Sequence, residues 1–455
     1  MTNTAKHSLA RRIMLVIPLL LVIWFIPLLS VHRPIQYDEA FTYLRYAKSP
    51  LLALFAYELP NNHLIHSFGV WLATSLMGDS LLAIRFVSIA SALLCAAQAV
   101  RLTAKLSNLS AGLLAAALLM IVPLWGEMIA NARGYTLSAF LTLVFIEMIY
   151  FSGTTPSRNR TRALMGVCIL LMLTLPSMAL LIAAGCLWVI WLAWNSRYRA
   201  VILTRYLPPI IGGTLIGGLF YTTVFIYGDA PSHATTFGEE SLIALIRGWV
   251  AQVFVSFPAI ALAAGVIFGL GVLWSSHRRM IVLFGAILGV ALSLSVAQEL
   301  VTGRVFFARN FYYLIPLTTL VSGVGLAALL RARPALVAAA VFACLMVGGN
   351  LFQMLNAPTE ASQLAAAVET ESETGDFLLI GCCIDFPVYY SHRDKPDLFR
   401  HTSETRRIVL IPTPFAMLDE MFAYHRQNGL AIEPETCTAA EWGNRAVTLC
   451  PDPVN

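Results

Sequence analysis

Long apolar runs, separated by short polar connections, recur along most of this sequence. A helix needs about 20 predominantly apolar residues to cross the ~30 Å hydrocarbon core of a bilayer. The chain is 58% hydrophobic and 12% charged, whereas soluble domains are about 45–50% apolar and about 25% charged. The sequence therefore predicts an all-α polytopic membrane protein. Eleven runs are predicted to be spans: residues 13–30, 80–100, 110–125, 134–151, 163–176, 178–194, 207–227, 249–273, 280–298, 311–330 and 335–352.

Two apolar segments need a separate interpretation. The run 13–30 has basic residues before it, as a signal peptide does, but no clear small-residue cleavage site follows, which favours an uncleaved first span. The segment 63–77 is short and begins with Asn61-Asn62-His63. We predict that it is a helix lying in the membrane interface, together with the preceding segment 39–48 of the same outer loop.

The distribution of basic residues predicts the orientation. Cytoplasmic loops are enriched in Lys and Arg. With the N-terminus in the cytoplasm, every predicted inner connection carries basic residues and no acid: Arg101, Lys105, Arg158, Arg160, Arg162, Arg197, Arg199, Arg205, Arg278, Arg279, Arg331 and Arg333. This topology also accounts for most of the net charge of +5 without a nucleic-acid partner. It predicts a multi-pass membrane protein whose residues after the last span lie outside the cytoplasm, which in a bacterial inner membrane is the periplasmic side.

The last hundred residues have a mixed polar composition. We predict a transmembrane domain over residues 1–352 and a small extracytoplasmic α/β domain over residues 353–455, with buried strands at 377–380 and 408–411 and a helix at 415–426. Four cysteines fall in this domain: Cys382, Cys383, Cys437 and Cys450. A Cys437–Cys450 disulfide with a second bridge from the Cys382/Cys383 pair is one arrangement, and a zinc site is the competing one.

Two adjacent acids, Asp38 and Glu39, follow the first span. Asp is a preferred N-cap, so Asp38 could simply cap a helix that begins near Ala40, and Glu39 would favour the positive end of that helix. Alternatively, the pair could accept a proton from a reacting hydroxyl or bind a cation. The outer loop that carries them could cover a cavity above the spans, which favours a functional role.

Three arginines lie on the predicted outer side of a protein that otherwise keeps arginine inside: Arg133, Arg304 and Arg309. A single interfacial arginine can extend harmlessly to the membrane surface. Three of them on the side that carries Asp38 fit a phosphate clamp better, because arginine offers a two-pronged donor to phosphate oxygens. Arg85, inside the second span, is a secondary candidate that could pair with Glu127.

His63 and His66 are three residues apart and therefore share one face of a helix. They could bind a divalent cation together with Asp38 or Glu39, or donate hydrogen bonds to a sugar. The sequence contains no Walker P-loop, no dinucleotide-binding glycine motif and no HExxH or GxSxG motif. We therefore expect no nucleotide or redox cofactor, and an activated substrate drawn from the membrane.

This pattern resembles the GT-C class of polytopic glycosyltransferases, which includes protein O-mannosyltransferases and the lipid A aminoarabinose transferase. The layout of residues 10–330 is similar, and short motifs carry the resemblance: Tyr37-Asp38-Glu39-Ala40-Phe41-Thr42-Tyr43, Asn61-Asn62-His63-Leu64, Ala83-Ile84-Arg85-Phe86, Ala132-Arg133-Gly134-Tyr135 and Arg309-Asn310-Phe311-Tyr312-Tyr313-Leu314-Ile315-Pro316. The chain departs from the pattern at Asn61-Asn62-His63, where many relatives carry His-Pro-Pro or Lys-Pro.

The resemblance implies an inverting transfer of a sugar from a polyprenyl-phosphate donor to a glycan, lipid or protein acceptor. Asp38 would be the general base, and Arg133, Arg304 and Arg309 would hold the lipid phosphate. Glu39 and His63 would orient the acceptor or a divalent cation, with Asn62, Tyr135 and Tyr312 as further substrate contacts. The alternative is a lipid or solute transporter, whose broken helices could form at Pro123, Pro176, Pro208 and Pro258.

Overall fold

The structure, a computed structural model, describes residues 20, 23–25, 27–28, 30–57, 62–151, 157–223, 241–254, 258–304, 306, 308–332, 357–381, 384–402, 405–413, 417–419, 421–422, 432–443 and 445–452. Its internal contacts divide the chain into two compact units. The first contains residues 1–32 and 46–355, and the second contains residues 33–45 and 356–455. The sequence-based boundary at 352/353 assigns the segment 33–45 to the other unit, because nothing local in its sequence marks it as part of the C-terminal domain.

Helices make up the described part of the first unit. They are α2 (Pro50–Phe55), α3 (Leu64–Met77), α4 (Leu81–Leu106), α5 (Leu109–Ile121), α6 (Pro123–Ala130), α7 (Tyr135–Phe151), α8 (Arg158–Thr174), α9 (Met178–Trp194), α10 (Arg199–Leu219), α11 (Leu242–Phe254), α12 (Pro258–Ser276), α13 (Arg278–Thr302) and α14 (Leu314–Ala332). Short 3-10 turns lie at Ser30–His32, Phe220–Thr223 and Ala308–Phe311. The prediction of a mainly helical chain with several apolar helices is confirmed.

Four described helices are long and apolar enough to cross a membrane: Leu81–Leu106, Arg199–Thr222, Arg278–Thr302 and Leu314–Arg331. The bent pair α5 and α6 would make a fifth, and shorter apolar helices include Tyr135–Phe151 and Met178–Trp194. Most of the predicted first span and all of the predicted last span lie outside the described residues. The count of eleven spans therefore stays a prediction.

The break between α5 and α6 has a local cause. The two helices meet at an angle of 70°, where Val122 adopts an extended conformation and Pro123 begins α6. Proline has no backbone N–H to continue the helix, and its ring pushes the preceding residue out of the helical region. The predicted span 110–125 is therefore two helices rather than one.

Small residues allow α12 and α14 to pack closely. A Cβ at Gly265 or Gly269 would overlap backbone atoms of Ser322 or Val321, and a Cβ at Gly325 would overlap the Gly265 backbone. This spacing of small residues brings two helix backbones together and is typical of membrane helix pairs. Van der Waals contact, rather than the hydrophobic effect, stabilises such a pair in lipid.

A buried acid in α7 is satisfied by three partners from α4. Glu147 pairs with Arg101 at 3.1 Å and with Lys105, and it accepts a hydrogen bond from the Gln98 amide. An acid within an apolar helix costs free energy unless it is paired in this way. This cluster ties the end of α4 to the end of α7.

The second unit is built around a four-stranded sheet. Its strands β1 (Asp376–Ile380), β2 (Arg407–Ile411), β3 (Thr438–Trp442) and β4 (Arg445–Pro451) lie in the order β1-β2-β4-β3. The pair β1–β2 is parallel and the other two pairs are antiparallel. The buried strands predicted at 377–380 and 408–411 are therefore present, whereas most of the predicted helix 415–426 lies outside the described residues.

Three further helices belong to this unit: α1 (Tyr37–Phe41), α15 (Glu360–Glu371) and α16 (Asp385–Ser391). A disulfide joins Cys437 to Cys450, which is one of the arrangements left open by the sequence. It connects the residue before β3 to the paired strand β4. Cys382 and Cys383, the candidates for a second bridge, lie outside the described residues.

Candidate functional site

The acidic pair occupies the first turn of the short helix α1, in the second unit. The backbone N–H of Gln36 donates to Glu39 Oε2 at 3.2 Å, which forms half of a capping box. Glu39 is fully buried, whereas Asp38 is half-buried. The helix begins at Tyr37 rather than near Ala40, so the capping role considered for Asp38 belongs to Glu39.

The capping box uses Glu39 and not Asp38, so capping does not account for the presence of Asp38 in this turn. Its neighbour Tyr37 is affected by it: burial, and then the carboxylates of Asp385 and Asp38, raise the pKa of the Tyr37 phenol to about 12. The phenol is consequently neutral at ordinary pH, and it lies close to two carboxylates. Asp38 is a partly exposed carboxyl group, and its role as a general base stays a prediction.

In the first unit, His63 lies between two N–H donors. The Gly134 backbone N–H donates to Nδ1 at 2.9 Å, and Nη2 of Arg133 lies 3.1 Å from Nε2. A neutral imidazole has one acceptor nitrogen, and the other nitrogen carries the proton. Only one of the two donors can therefore be satisfied by His63 at a time.

The protonation state of His63 follows from its surroundings. Burial, followed by the charge of Arg133, holds the pKa of His63 well below its usual range. The ring is therefore neutral. If Nδ1 accepts from Gly134, then Nε2–H and the Arg133 guanidinium form two neighbouring donors, and an oxygen anion beside them would satisfy both.

The Arg133 guanidinium is buried against the ring of Tyr135. Its carbon lies 5.2 Å from the centre of the Tyr135 ring, and Arg133 is only 3% exposed. Tyr135 makes edge-to-face contacts with His63 at 5.0 Å and with Tyr312 at 5.3 Å. Burial among rings strengthens the electrostatic interactions of the guanidinium, because little water screens it.

Arg309 is close enough to this cluster to interact electrostatically with His63 and Tyr312. The structure thus brings together four predicted residues, His63, Arg133, Tyr135 and Tyr312, with Arg309 nearby. We call these five residues, His63, Arg133, Tyr135, Arg309 and Tyr312, the arginine cluster. Arg304 is placed by its backbone, which exchanges hydrogen bonds with the Thr302 hydroxyl after the end of α13. Its part in a clamp stays a prediction.

Asn62 has a structural role that the sequence analysis did not anticipate. Its Nδ2 donates to the backbone carbonyls of Ala53 and Ala56 at the end of α2, and its Oδ1 accepts from Ser67 in α3 at 2.6 Å. These bonds satisfy carbonyls that a helix end leaves without intrahelical partners. The amide joins two helices of the outer loop and is committed to the fold, which leaves little of it for the predicted substrate contact.

The two secondary candidates are likewise bound within the protein. His66 is buried and its Nε2 lies 3.0 Å from the Ser88 hydroxyl. Arg85 is fully buried and donates to the Val31 carbonyl at 2.9 Å. The first contact joins α3 to α4, and the second joins α4 to the turn at Ser30–His32.

Two residues that the sequence analysis did not single out belong to the same region. Tyr57, after α2, interacts electrostatically with Arg133 and Tyr135, and its ring packs edge-to-face on Tyr221 at 4.7 Å. Gly134 leaves the space that His63 fills, since a Cβ there would lie 2.8 Å from His63 Nδ1. A glycine between Arg133 and Tyr135 was a visible signal of close packing, whereas Tyr57 had none.

The predicted cation set was Asp38, Glu39 and His63. A metal ligand needs a free lone pair, and both ring nitrogens of His63 face N–H donors, so His63 does not fit that role in this arrangement. Within the described ranges, no three His, Cys, Asp or Glu side chains are grouped to hold a metal ion. A requirement for a divalent cation stays a prediction.

Comparisons with known proteins agree on the fold. Residues 62–227 match the family described as dolichyl-phosphate-mannose-protein mannosyltransferase. The chain is similar to the crystal structure of ArnT from Cupriavidus metallidurans in the apo state, with a TM-score of 0.61 and 12% identity over 97% of this chain and 98% of that one. ArnT bound to undecaprenyl phosphate gives a TM-score of 0.57 and 12% identity over 99% and 98%. No curated protein sequence matches.

The matched segment contains His63, Arg133, Gly134 and Tyr135, and the similarity to ArnT extends over both units. The resemblance stated from the sequence motifs is thus confirmed. The chain has the fold of the GT-C class of polytopic membrane glycosyltransferases.

Proposed function

We propose that this protein is an inverting glycosyltransferase that moves a sugar from a polyprenyl-phosphate donor to an acceptor hydroxyl on the extracytoplasmic side of a bacterial inner membrane. The observation that carries the proposal is the arginine cluster. Its buried guanidinium and the Nε2 side of His63 form a water-poor donor site suited to a phosphate group. The same fold holds undecaprenyl phosphate in ArnT from Cupriavidus metallidurans, which supports this class of donor.

Each group has a defined task in this reaction. Asp38 accepts the proton of the acceptor hydroxyl as its oxygen attacks the anomeric carbon from the face opposite the lipid phosphate. The bond from that carbon to the phosphate oxygen breaks, and the phosphate leaves with the electron pair. Arg133 and Arg309 stabilise the charge that develops on it, because fixed positive groups act strongly where water is excluded. Neutral His63 adds a hydrogen bond without adding charge.

The topology and the disulfide support the proposed location. Disulfides persist in oxidising compartments such as the periplasm, and Cys437–Cys450 lies in the unit that the basic-residue pattern places outside. Mass spectrometry of the product would identify the sugar and the class of acceptor: glycan, lipid or protein.

The proposal is tested by mass spectrometry of cell-envelope glycolipids, glycans and proteins with and without the gene. We expect one product mass, larger by a single sugar, to disappear on deletion and to return with the wild-type gene. An unchanged envelope, with loss only of uptake or export of a solute or lipid, would instead favour a transporter. The bent helix pair α5–α6 is the feature that such a protein would use.

Gly134→Ala is expected to lower kcat/KM for sugar transfer by roughly 10²-fold, the cost of misplacing an active group by about 1 Å. The added methyl group would lie 2.8 Å from His63 Nδ1 and from Thr174 Cγ2, so the His63 ring must shift from the position in which it meets Arg133. The measurement is transfer by purified protein in lipid vesicles.

The matched control for this variant is Gly166→Ala. Gly166 lies within α8, and no atom lies within 4 Å of a Cβ placed there. Alanine favours a helix over glycine, so this variant should keep full activity and melt no lower than the wild type. Equal activity of the two alanine variants would contradict a role for the His63 position.

A further inference from the structure

We infer that Phe386 and Tyr390 of α16 are positioning residues for Asp38, so that the C-terminal domain holds the general base in place. The inference rests on the proposed function. Phe386 contacts two rings of α1 edge-to-face, with centroids 5.6 Å from Tyr37 and 4.7 Å from Phe41, and these two rings also stack on each other at 6.0 Å. Tyr390 contacts Tyr43 in the same geometry at 5.7 Å. All of these residues belong to the second unit.

The helix that carries Asp38 depends on this support. It has five residues, whereas isolated helices shorter than about 12–15 residues are marginal in water. Its local support is the capping box of Gln36 and Glu39. It runs directly into the five-residue π-helical turn Thr42–Tyr46, which lacks regular α-helical hydrogen bonding.

The opposing helix α16 is well anchored. It follows β1 closely, packs against α15 and buries Val388 completely in the core of the domain. The rings of Phe386 and Tyr390 are therefore held by a well-packed helix. Tyr37 and Phe41 are four residues apart, so both project from the same face of α1. Phe386 contacts both rings of this face and thereby sets the rotation of α1 about its axis.

Rotation of α1 decides where the Asp38 carboxylate points, because Asp38 is the next residue after Tyr37. A general base must come within about 2.6–3.2 Å of the proton that it accepts. A small rotation would remove the carboxylate from that range while leaving donor binding to the first unit intact. Loss of the Phe386 ring should therefore lower kcat and leave KM for the donor almost unchanged.

The experiment compares Phe386→Ala with the wild type as full-length protein in lipid vesicles. We expect kcat to fall roughly 10- to 100-fold, KM for the lipid-linked donor to stay within about twofold, and Phe386→Tyr, which keeps the ring, to restore most of the rate. The matched control is Phe399→Ala. Phe399 belongs to the same domain, and its described ring contacts are with Tyr389 and His392 rather than with α1.

The double variant Phe41→Ala/Phe386→Ala provides the decisive comparison, because residues in one contact show non-additive effects. It should lose no more activity than the more affected single variant. Multiplied losses, or an equal fall in Phe399→Ala, would overturn the positioning role and indicate general destabilisation. Full activity of Phe386→Ala together with an inactive Asp38→Asn would contradict the positioning role of Phe386 and leave the assignment of Asp38 as the base intact. Transfer by Asp38→Asn at the wild-type rate would instead contradict the assignment of Asp38 as the base.

Discussion

Asp38→Asn is expected to lower the rate of sugar transfer by roughly 10²- to 10⁴-fold, the usual contribution of a general base. Asparagine has nearly the same shape as aspartate but cannot accept the proton of the attacking hydroxyl. Because Glu39 rather than Asp38 accepts the capping hydrogen bond from Gln36, α1 should still form in the variant. The loss should therefore appear in kcat rather than in the melting temperature.

The control for this variant is Asp394→Asn, which removes an exposed carboxylate from the same unit. Its transfer rate should equal that of the wild type. The assay is sugar transfer in vesicles, with binding of the lipid-linked donor measured separately for each variant. Donor binding should survive in Asp38→Asn. Transfer at the wild-type rate would exclude Asp38 as the base.

The features predicted well from the sequence are those encoded locally. Hydrophobic runs long enough to span a membrane predicted the apolar helices, and short apolar runs between turn residues predicted β1 and β2. The four cysteines of the predicted exported domain indicated disulfides, and Cys437–Cys450 was one possible pair, but four cysteines allow three connectivities and the sequence does not choose among them. The motif Ala132-Arg133-Gly134-Tyr135 pointed to a candidate site residue because Arg133 is one of three arginines on the predicted outer side, although a single arginine there could also extend harmlessly to the membrane surface.

The features that were missed depend on contacts between distant parts of the chain. The ring contacts of Phe386 with Tyr37 and Phe41 join residues about 350 positions apart, and no local pattern indicates them. Asn62 was missed for a different reason: its amide donates to the nearby carbonyls of Ala53 and Ala56, and no residue pattern shows which way the chain turns between α2 and Asn62. The capping role of Glu39 was a local signal, but it was hidden because the helix begins at Tyr37 and its N-cap is Gln36, an uncommon residue there.

Arg133→Ala is expected to lower kcat by roughly 10²- to 10³-fold, as the loss of a buried group that stabilises transition-state charge does elsewhere. The guanidinium is held against His63 and over the Tyr135 ring, so it needs little rearrangement to meet a phosphate. Arg133→Lys keeps the charge but not the planar two-pronged donor, and should recover only part of the rate. The measurements are kcat and KM for the donor in vesicles.

Arg199→Ala is the matched control, because its guanidinium also stacks on a ring, at 4.8 Å from the centre of Trp194, but at an exposed position. Both alanine variants lose a cation–π contact, worth about 0.5–1 kcal/mol at the exposed Arg199 and about 2 kcal/mol at a desolvated site such as Arg133. A loss of activity in Arg133→Ala at an unchanged melting temperature therefore reports the phosphate interaction. In Arg133→Ala, addition of guanidinium ion should restore some transfer if the missing group acts by charge and hydrogen bonding. Equal kcat in Arg133→Ala and Arg199→Ala would show that the arginine cluster does not act on the leaving phosphate, and a defect confined to the melting temperature would give Arg133 a structural role.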